Sequence, residues 1–310
     1  MSDDGTDRRG LLKCMAWVGT GVVWTMAGGI PRSMPLAAAA EAGAMGDDGF
    51  SFVQISDSHI GFAKDANTDV PGTVKAGIDR ILALPRAPAF LLHTGDISHL
   101  SQPDEFDLAD QLIGAARLPV FHVPGEHDML VDEGASYRER YGKGTKGAGW
   151  YSFDHGGVHF VGLVNVADLA PGGLGRLGDA QLEWLEDDLA GLGAETPVVV
   201  FAHIPLWSVY PEWGWGTEDA AQALAYLRRF GSVTVLNGHI HQVMQKVEGN
   251  VTFHTAMSTA FPQPQPGAAA SPGPLKVPPG ELRRLLGTTD VAFRPHAGPL
   301  ALVDRPLAGG

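Results

Sequence analysis

From about residue 50 onward, short apolar runs rich in β-branched residues alternate with longer amphipathic stretches. Apolar runs of this length are typical of buried strands, and the longer stretches have the residue spacing of helices. The predicted strands are residues 50–55, 90–93, 120–123, 158–164, 198–201 and 233–236, and the predicted helices are residues 74–84, 104–116, 179–189 and 217–230. Strands that alternate with helices indicate an α/β fold with helices packed outside the sheet.

The chain beyond these elements has a different pattern. Residues 261–280 contain seven prolines in twenty positions, which predicts an extended loop. A short helix near residues 281–286 and a strand near residues 300–303 are predicted to follow it. We therefore expect one domain at residues 48–305, with the proline-rich loop 261–280 as an insertion.

The first forty residues have the composition of a leader and are kept out of the fold prediction. Arg8 and Arg9 precede an apolar stretch at residues 14–30, and four alanines stand at 37–40. This order resembles a twin-arginine export signal, so residues 1–40 are expected to engage the twin-arginine export machinery. The resemblance implies a bacterial protein that is periplasmic or secreted, with no stable membrane insertion after cleavage. The alternative is an uncleaved leader that tethers the protein to the membrane.

Composition and charge exclude several classes of function. Lys and Arg number 22 against 35 Asp and Glu, a formal net charge of −13, so no basic surface is expected for duplex nucleic acid. The one cysteine, Cys14, lies in the predicted leader, which excludes cysteine catalysis and disulfides from the mature chain. Twelve histidines are a rich supply for metal chemistry.

A carboxylate or a histidine follows each of five predicted strands. The carboxyl ends of parallel strands form the functional crevice of an α/β sheet, so these side chains are expected to converge. Each short motif alone is more often a surface pair or a hydrogen-bonded core group, and the ordered set of five is what indicates a site. The candidate metal ligands are Asp57, His59, Asp96, Glu126, His203, His239 and His241.

The types of these residues indicate which metals they could hold. Imidazoles and carboxylates without thiolates suit Fe, Mn or Zn. Seven ligands are too many for one tetrahedral ion and are enough for two ions that share a bridging carboxylate. Two ions roughly 3.5–4 Å apart can clamp the attacking and leaving oxygens of an in-line displacement.

The ordered motifs Asp57-x-His59, Gly95-Asp96, Gly125-Glu126-His127-Asp128, His203 and Gly238-His239-x-His241 resemble those of the calcineurin-like metallophosphoesterase superfamily. The resemblance covers about residues 51–260 and implies a four-layer α/β/β/α sandwich with two mixed sheets, flanking helices and a dinuclear metal centre.

The resemblance also implies roles for these residues. One ion would be held by Asp57, His59, Asp96 and His241. The other would be held by Asp96, Glu126, His203 and His239, so that Asp96 bridges the two ions. His127 would be the catalytic histidine, oriented by Asp128, and a hydroxide that bridges the ions would attack the phosphorus of a small phosphate ester.

Glu126 departs from the superfamily pattern, which usually has Asn at this position. Three carboxylates and a bridging hydroxide would bring two divalent ions to a net charge of about zero, and a neutral centre attracts a phosphate ester less. We expect either a pairing of Fe(III) with a divalent ion or slower turnover. His99 stands where the purple acid phosphatases of the superfamily have Tyr, so a tyrosinate colour is not expected, and His99 is either near the site or an ordinary loop histidine.

The function predicted from the sequence is an exported phosphoesterase that prefers phosphodiesters. The alternatives are a phosphomonoesterase and a non-catalytic periplasmic metal-binding protein with a modified site. Two features near the motifs have open roles. The aromatic stretch 207–215 is either a substrate wall or a loop that packs on its own rings, and Arg138 and Arg140 either reach a phosphate or lie on a solvated helix face.

Overall fold

A computed structural model describes residues 22–27, 30–35, 49–278, 280–295 and 300–308. Most of the predicted leader lies outside the described residues. Within it, strands β1 (Val22–Ala27) and β2 (Ile30–Pro35) pair antiparallel, which the sequence does not predict. Among the described residues, no helix combines the length and the apolar character needed to cross a membrane.

Five strands form a mixed sheet, and the first three motifs follow three of its strands. Their spatial order is β13 (Ala301–Pro306), β12 (Gly287–Phe293), β3 (Phe50–Ile55), β4 (Leu91–His93) and β5 (Val120–His122). β3, β4 and β5 run parallel, whereas β12 pairs antiparallel with both β3 and β13. The carboxyl ends of the three parallel strands therefore meet at one edge of this sheet.

Six strands form the second sheet. Their spatial order is β10 (Gln245–Glu248), β11 (Val251–Thr255), β9 (Val233–Asn237), β8 (Val198–Ala202), β7 (Val158–Gly162) and β6 (Tyr151–His155). β11, β9, β8 and β7 are parallel, and β10 and β6 pair antiparallel at the two sides.

Six α-helices are described. They are α1 (Val70–Leu82), α2 (Pro103–Gly114), α3 (Ala135–Tyr141), α4 (Asp179–Ala190), α5 (Ala220–Leu227) and α6 (Leu282–Leu285). The proline-rich segment contains neither helix nor strand over its described residues 261–278 and 280, in keeping with the predicted loop.

The two sheets pack face to face, with helices outside each one. Alternate residues of the central strands divide between an inner and an outer core, as the period of a strand requires. Phe52 of β3 enters an aromatic core between the sheets, where its ring stacks on that of Phe90 at 5.0 Å and meets that of Phe160 edge-on at 5.4 Å. The neighbouring Val53 points outward to the core beneath α1 and α2. A separate core lies between the second sheet and helices α4 and α5. These layers confirm the predicted α/β/β/α sandwich.

Several predicted boundaries are wrong for local reasons. The helix expected from residue 217 begins at Ala220, because the Thr217 hydroxyl donates to the Pro205 carbonyl and Asp219 occupies the N-cap position. The sequence pattern does not predict strand β12, because the first half of the strand, Gly-Thr-Thr-Asp, is not an apolar run. Its threonines Thr288 and Thr289 are nevertheless buried, since β12 lies between two neighbouring strands.

His159 joins the β6–β7 hairpin to helix α4 through two ion pairs. Its Nδ1 lies 2.8 Å from Asp154 Oδ1, and its Nε2 lies 2.9 Å from Asp188 Oδ2. Burial alone would lower the pKa of His159, but these two carboxylates outweigh it and raise the pKa above its usual value.

We expect His159→Gln to destabilise the protein by about 1 kcal/mol at about pH 6 and by less at about pH 9. A raised folded-state pKa gives stabilisation that is full below the unfolded-state pKa and is lost as pH rises through the folded-state value. Urea unfolding of both proteins across this range measures the difference. A difference that stays constant with pH would contradict the assignment of the charge to His159.

Candidate metal centre

The seven candidate ligands lie at the ends of five parallel strands from both sheets. The first sheet supplies Asp57 and His59 after β3, Asp96 after β4 and Glu126 after β5. The second sheet supplies His203 after β8, and His239 and His241 after β9. The structure brings all seven into overlapping groups whose candidate ligand atoms lie within 4.8 Å of one another.

Five of these residues have left-handed backbone conformations, with φ of 51° for Asp57, 37° for His59, 53° for Asp96, 70° for His239 and 55° for His241. Such conformations cost free energy in residues with a Cβ and cluster at functional sites. They turn the chain sharply after each strand so that the side chains face the common edge. A Cβ at Gly125 would overlap Asp96, which explains the glycine before Glu126.

The first group consists of Asp57, His59 and His241, all of them buried. His241 Nε2 lies 3.3 Å from Asp57 Oδ1, and the Nε2 atoms of His59 and His241 are 3.2 Å apart. Two imidazole nitrogens and a carboxylate oxygen thus face one small volume.

The second group consists of Glu126, His203 and His239. Glu126 Oε2 lies 2.8 Å from His203 Nε2, and Glu126 Oε1 lies 3.0 Å from His239 Nδ1. Both carboxylate oxygens of the residue that replaces the usual Asn are therefore turned toward ring nitrogens.

Asp96 stands between the two groups. Its Oδ2 atom lies 3.4 Å from His59 Nε2 in the first group and 3.4 Å from His203 Nε2 in the second. Its Oδ1 atom accepts a hydrogen bond from the His127 backbone N–H at 2.9 Å. The hydrogen bond from His127 thus holds Oδ1, and Oδ2 lies between the two groups of candidate ligands.

Backbone carbonyls set the orientation of two of the imidazoles. His203 Nδ1 donates to the Thr94 carbonyl at 2.7 Å, and His241 Nδ1 donates to the Phe261 carbonyl at 2.6 Å. The Nε2 of each ring is then turned to the common volume, as in metal-ligating histidines. Sequence reasoning misses these carbonyl partners, because a backbone oxygen has no side-chain signature.

The unsatisfied atoms show that the donor set fits metal ions. Glu126 Oε2, His203 Nε2 and both ring nitrogens of His239 are buried without a hydrogen-bond partner in the part of the chain that the structure describes. Glu126 Oε2 and His203 Nε2 approach closely but are not aligned as a hydrogen bond. Buried polar atoms normally have partners, and coordinated cations would satisfy Glu126 Oε2, His203 Nε2 and one of the two His239 ring nitrogens.

The electrostatics of the site are those of paired acids and bases. Burial alone would raise the pKa of Asp57, but His241 and His203 lower it to about 2. Burial alone would lower the pKa of His203, but Asp96 and Glu126 raise it well above its usual value. His239 and His203 likewise lower the pKa of Glu126 against the effect of burial. The carboxylates are thus held ionised, which is the form that binds a cation.

His127 borders the same volume, but Asp128 does not orient its ring as predicted. The Nδ1 atom of His127 donates to the His99 carbonyl at 2.6 Å, and the two rings stack with centroids 4.9 Å apart. His99 therefore lies beside the site. The carboxylate of Asp128 instead accepts the backbone N–H groups of Ile97, Ser98 and Gly125, because the tight turn at residues 126–128 points it back into the protein.

The sequence leaves open the roles of Arg138, Arg140 and the aromatic stretch 207–215. These residues mostly make contacts away from the two groups of candidate ligands. Arg140 pairs with Asp107 and Asp110 on α2, and Arg138 donates to the Glu133 carbonyl. In the aromatic stretch, the ring of Trp213 meets those of Tyr210 and Trp215 edge-on, each at 5.1 Å. Trp207 packs against Phe253 of β11. These contacts favour the interpretation of this stretch as a loop that packs on its own rings.

Comparison with known proteins agrees with this geometry. The sequence model of the calcineurin-like phosphoesterase family matches residues 50–243, which contain all seven candidate ligands. The chain belongs to the calcineurin-like phosphoesterase family.

The sequence identity between the chain and individual known proteins is low. The chain is 25% identical over 225 residues to a 3′,5′-cyclic-nucleotide phosphodiesterase of Nostoc sp., covering 68% of this chain and 79% of the relative. It is 27% identical over 223 residues to a glycerophosphodiester phosphodiesterase of Enterobacter lignolyticus, covering 68% and 77%. A dimetal phosphatase from Danio rerio has the same fold, with a TM-score of 0.62, 14% identity and coverage of 84% of this chain and 96% of that one.

Calcineurin-like phosphoesterases depend on two metal ions, and the two groups joined by Asp96 are clusters able to bind them. The chain is thus a metal-dependent phosphoric ester hydrolase with a small-molecule phosphoester as its class of substrate.

Asp128 and His127 should behave differently when replaced. Asp128→Ala leaves three backbone N–H groups without their acceptor, so we expect a loss of about 3 kcal/mol or more in the free energy of unfolding. His127→Ala should leave stability and metal content near those of the unchanged protein and lower kcat. Denaturant unfolding, elemental analysis and a phosphoester assay on both variants check this. Loss of metal and activity together in His127→Ala would assign His127 a structural role instead.

Proposed function

We propose that this calcineurin-like phosphoesterase is an exported dinuclear-metal phosphodiesterase. The observation that carries the proposal is the position of Asp96 Oδ2, at 3.4 Å from a histidine nitrogen in each of the two groups. A carboxylate in this position can bridge two ions. The preference for diesters is supported by the two relatives above, which are both named as phosphodiesterases.

The roles follow from the geometry of the two groups. Asp57, His59, Asp96 and His241 would hold one ion, and Asp96, Glu126, His203 and His239 would hold the other. Bound ions would supply Lewis-acid activation of water and neutralisation of charge on the phosphoryl group. A trivalent–divalent pair or two divalent ions of Fe, Mn or Zn would suit these oxygen and nitrogen donors.

His127 would act on the substrate from the side of the site next to His99. Since its Nδ1–H donates to the His99 carbonyl, its Nε2 is the atom left to meet an oxygen of the substrate. In the metal-free protein, Asp96 and Glu126 raise the pKa of His127 despite its burial. A protonated Nε2 could stabilise a phosphoryl oxygen or protonate the leaving oxygen.

The assay that tests the proposal compares a diester with a monoester. The protein loaded with Mn(II), Fe or Zn should hydrolyse bis-nitrophenyl phosphate at least roughly tenfold more efficiently than nitrophenyl phosphate. Asp96→Ala should lower the rate by roughly a thousandfold, because both ion sites lose a ligand. Asp187→Ala, which removes an exposed carboxylate on α4, is the matched control.

The other outcomes of this assay point to the alternatives. Preferred hydrolysis of the monoester would indicate a phosphomonoesterase. Two bound metals with no turnover of either ester would indicate a metal-binding protein whose site is modified at Glu126. Activity that survives Asp96→Ala would contradict the bridging role of Asp96.

We also propose that Glu126 selects a trivalent–divalent pair of ions. Its carboxylate faces His203 and His239 with both oxygens, so its charge would be placed at the second ion site. An additional negative charge near an ion favours the ion of higher charge, and Fe(III) would restore the positive centre that an Asn ligand gives to two divalent ions.

Three replacements of Glu126 distinguish the effect of its negative charge from the effect of its side-chain length. We expect Glu126→Gln and Glu126→Asn to replace bound Fe(III) by a second divalent ion, whereas Glu126→Asp should retain it. Elemental analysis and electron paramagnetic resonance of protein purified with mixed metals measure this. Unchanged metal identity and unchanged rate in Glu126→Asn would show the idea to be wrong.

The proposed location is the periplasm or the exterior of a bacterium. The support for export is the resemblance of residues 1–40 to a twin-arginine leader, with Arg8 and Arg9 ahead of an apolar stretch. The twin-arginine machinery exports folded proteins, which would allow the metal ions to be bound before export.

A further inference from the structure

The residues that lead into the proline-rich loop, together with its first residues, contact the metal centre. We call residues 258–264 the clamp segment. The Ser258 hydroxyl donates to the Asp57 carbonyl at 2.8 Å and accepts the backbone N–H groups of Ala260 at 2.8 Å and Phe261 at 3.1 Å. The Thr259 N–H donates to the Ser56 carbonyl at 3.1 Å. The clamp segment is thereby fastened to the turn that carries the first candidate ligand.

Phe261 contacts two histidines of the first group. Its carbonyl accepts the Nδ1–H of His241, and its ring centroid lies 4.7 Å from that of His241 and 4.7 Å from that of His59. The side chain is only 3% exposed, and Phe62 packs on it at 4.3 Å. Phe261 therefore restricts the rotation of both imidazoles.

Gln263 fixes the backbone of the second group's histidine. Its Nε2 donates to the His239 carbonyl at 3.1 Å. In the opposite direction, Gln242 Nε2 donates to the Pro264 carbonyl at 3.1 Å. Two amide side chains thus join the clamp segment to the turn 239–242, in which both histidines have left-handed backbone conformations.

We propose that Phe261 and Gln263 are positioning residues that set the metal affinity of the centre. The proposal rests on the proposed function, in which His59, His239 and His241 are ligands. Groups that orient ligating histidines typically change metal affinity by roughly 10–100-fold when they are removed. The proline-rich loop would then have a structural role in the site, because its first turn contacts residues on both sides of Asp96.

The test measures metal binding rather than turnover. Phe261→Leu and Gln263→Ala should each weaken the affinity for Zn(II), measured by competition with a chelator, by roughly tenfold or more. The absorption spectrum of the Co(II)-loaded protein should change as the imidazoles move. The controls are Phe230→Leu, which removes a buried ring from the core between the second sheet and helices α4 and α5, and Gln265→Ala, an exposed glutamine two residues farther along the loop.

Each outcome decides the proposal. Weakened affinity in both variants, with affinities of both controls within about threefold of the unchanged protein, would support it. Equal affinities in the variants and the controls, with two metals bound to the unchanged protein, would overturn it and leave the proposed function intact. If the unchanged protein binds no metal, both the proposed function and this inference fail. Gln263→Ala, which removes only a half-buried amide, decides the matter if Phe261→Leu does not fold.

Discussion

The contact between the two sheets is the constraint on which the metal centre depends. Each group of candidate ligands draws on both sheets. Asp57 and His59 of the first sheet meet His241 of the second, while Glu126 of the first sheet meets His203 and His239 of the second. The aromatic core around Phe52, Phe90 and Phe160 fixes the separation of the sheets, and so it also fixes these ligand distances. A change of about 1 Å in that separation would open both groups at once.

The site combines local strain with rigid support. Left-handed backbone at Asp57, Asp96 and His241 is costly for residues with a Cβ and would relax in an unsupported loop. Each of these residues is held by a hydrogen bond to another chain segment: the Ser258 hydroxyl donates to the Asp57 carbonyl, Asp96 Oδ1 accepts the His127 N–H, and His241 Nδ1 donates to the Phe261 carbonyl. The Asp128 carboxylate adds to this support by joining the turns after β4 and β5. Asp128 therefore belongs to the framework of the site, even though it lies next to His127 in the sequence.

The sequence predicts the parallel strands well and the surrounding contacts poorly. Strands buried on both faces are continuous apolar runs, so β8 and β9 are recognisable without tertiary information. Strand β12 is buried by its neighbours in the sheet and not by its own composition. The candidate ligands are predictable because their types and order are set by metal chemistry. The carbonyls of Thr94, His99 and Phe261, which orient three histidines, leave no trace in residue type.

The charges of the site link the fold to its cation. Three carboxylates that face a common volume cannot remain ionised in a buried site without compensating positive charge. In the metal-free protein, His203 and His127 contribute to this compensation, because Asp96 and Glu126 raise the pKa of both imidazoles. Binding of an ion requires His203 to lose that proton, so metal binding is an exchange of protons for a cation and weakens as pH falls. Glu126 contributes one negative charge that the bound cations must balance, whereas an Asn at this position would contribute none. The same residue that, after Asp96, raises the pKa of His203 in the metal-free protein therefore increases the charge that the bound ions must supply.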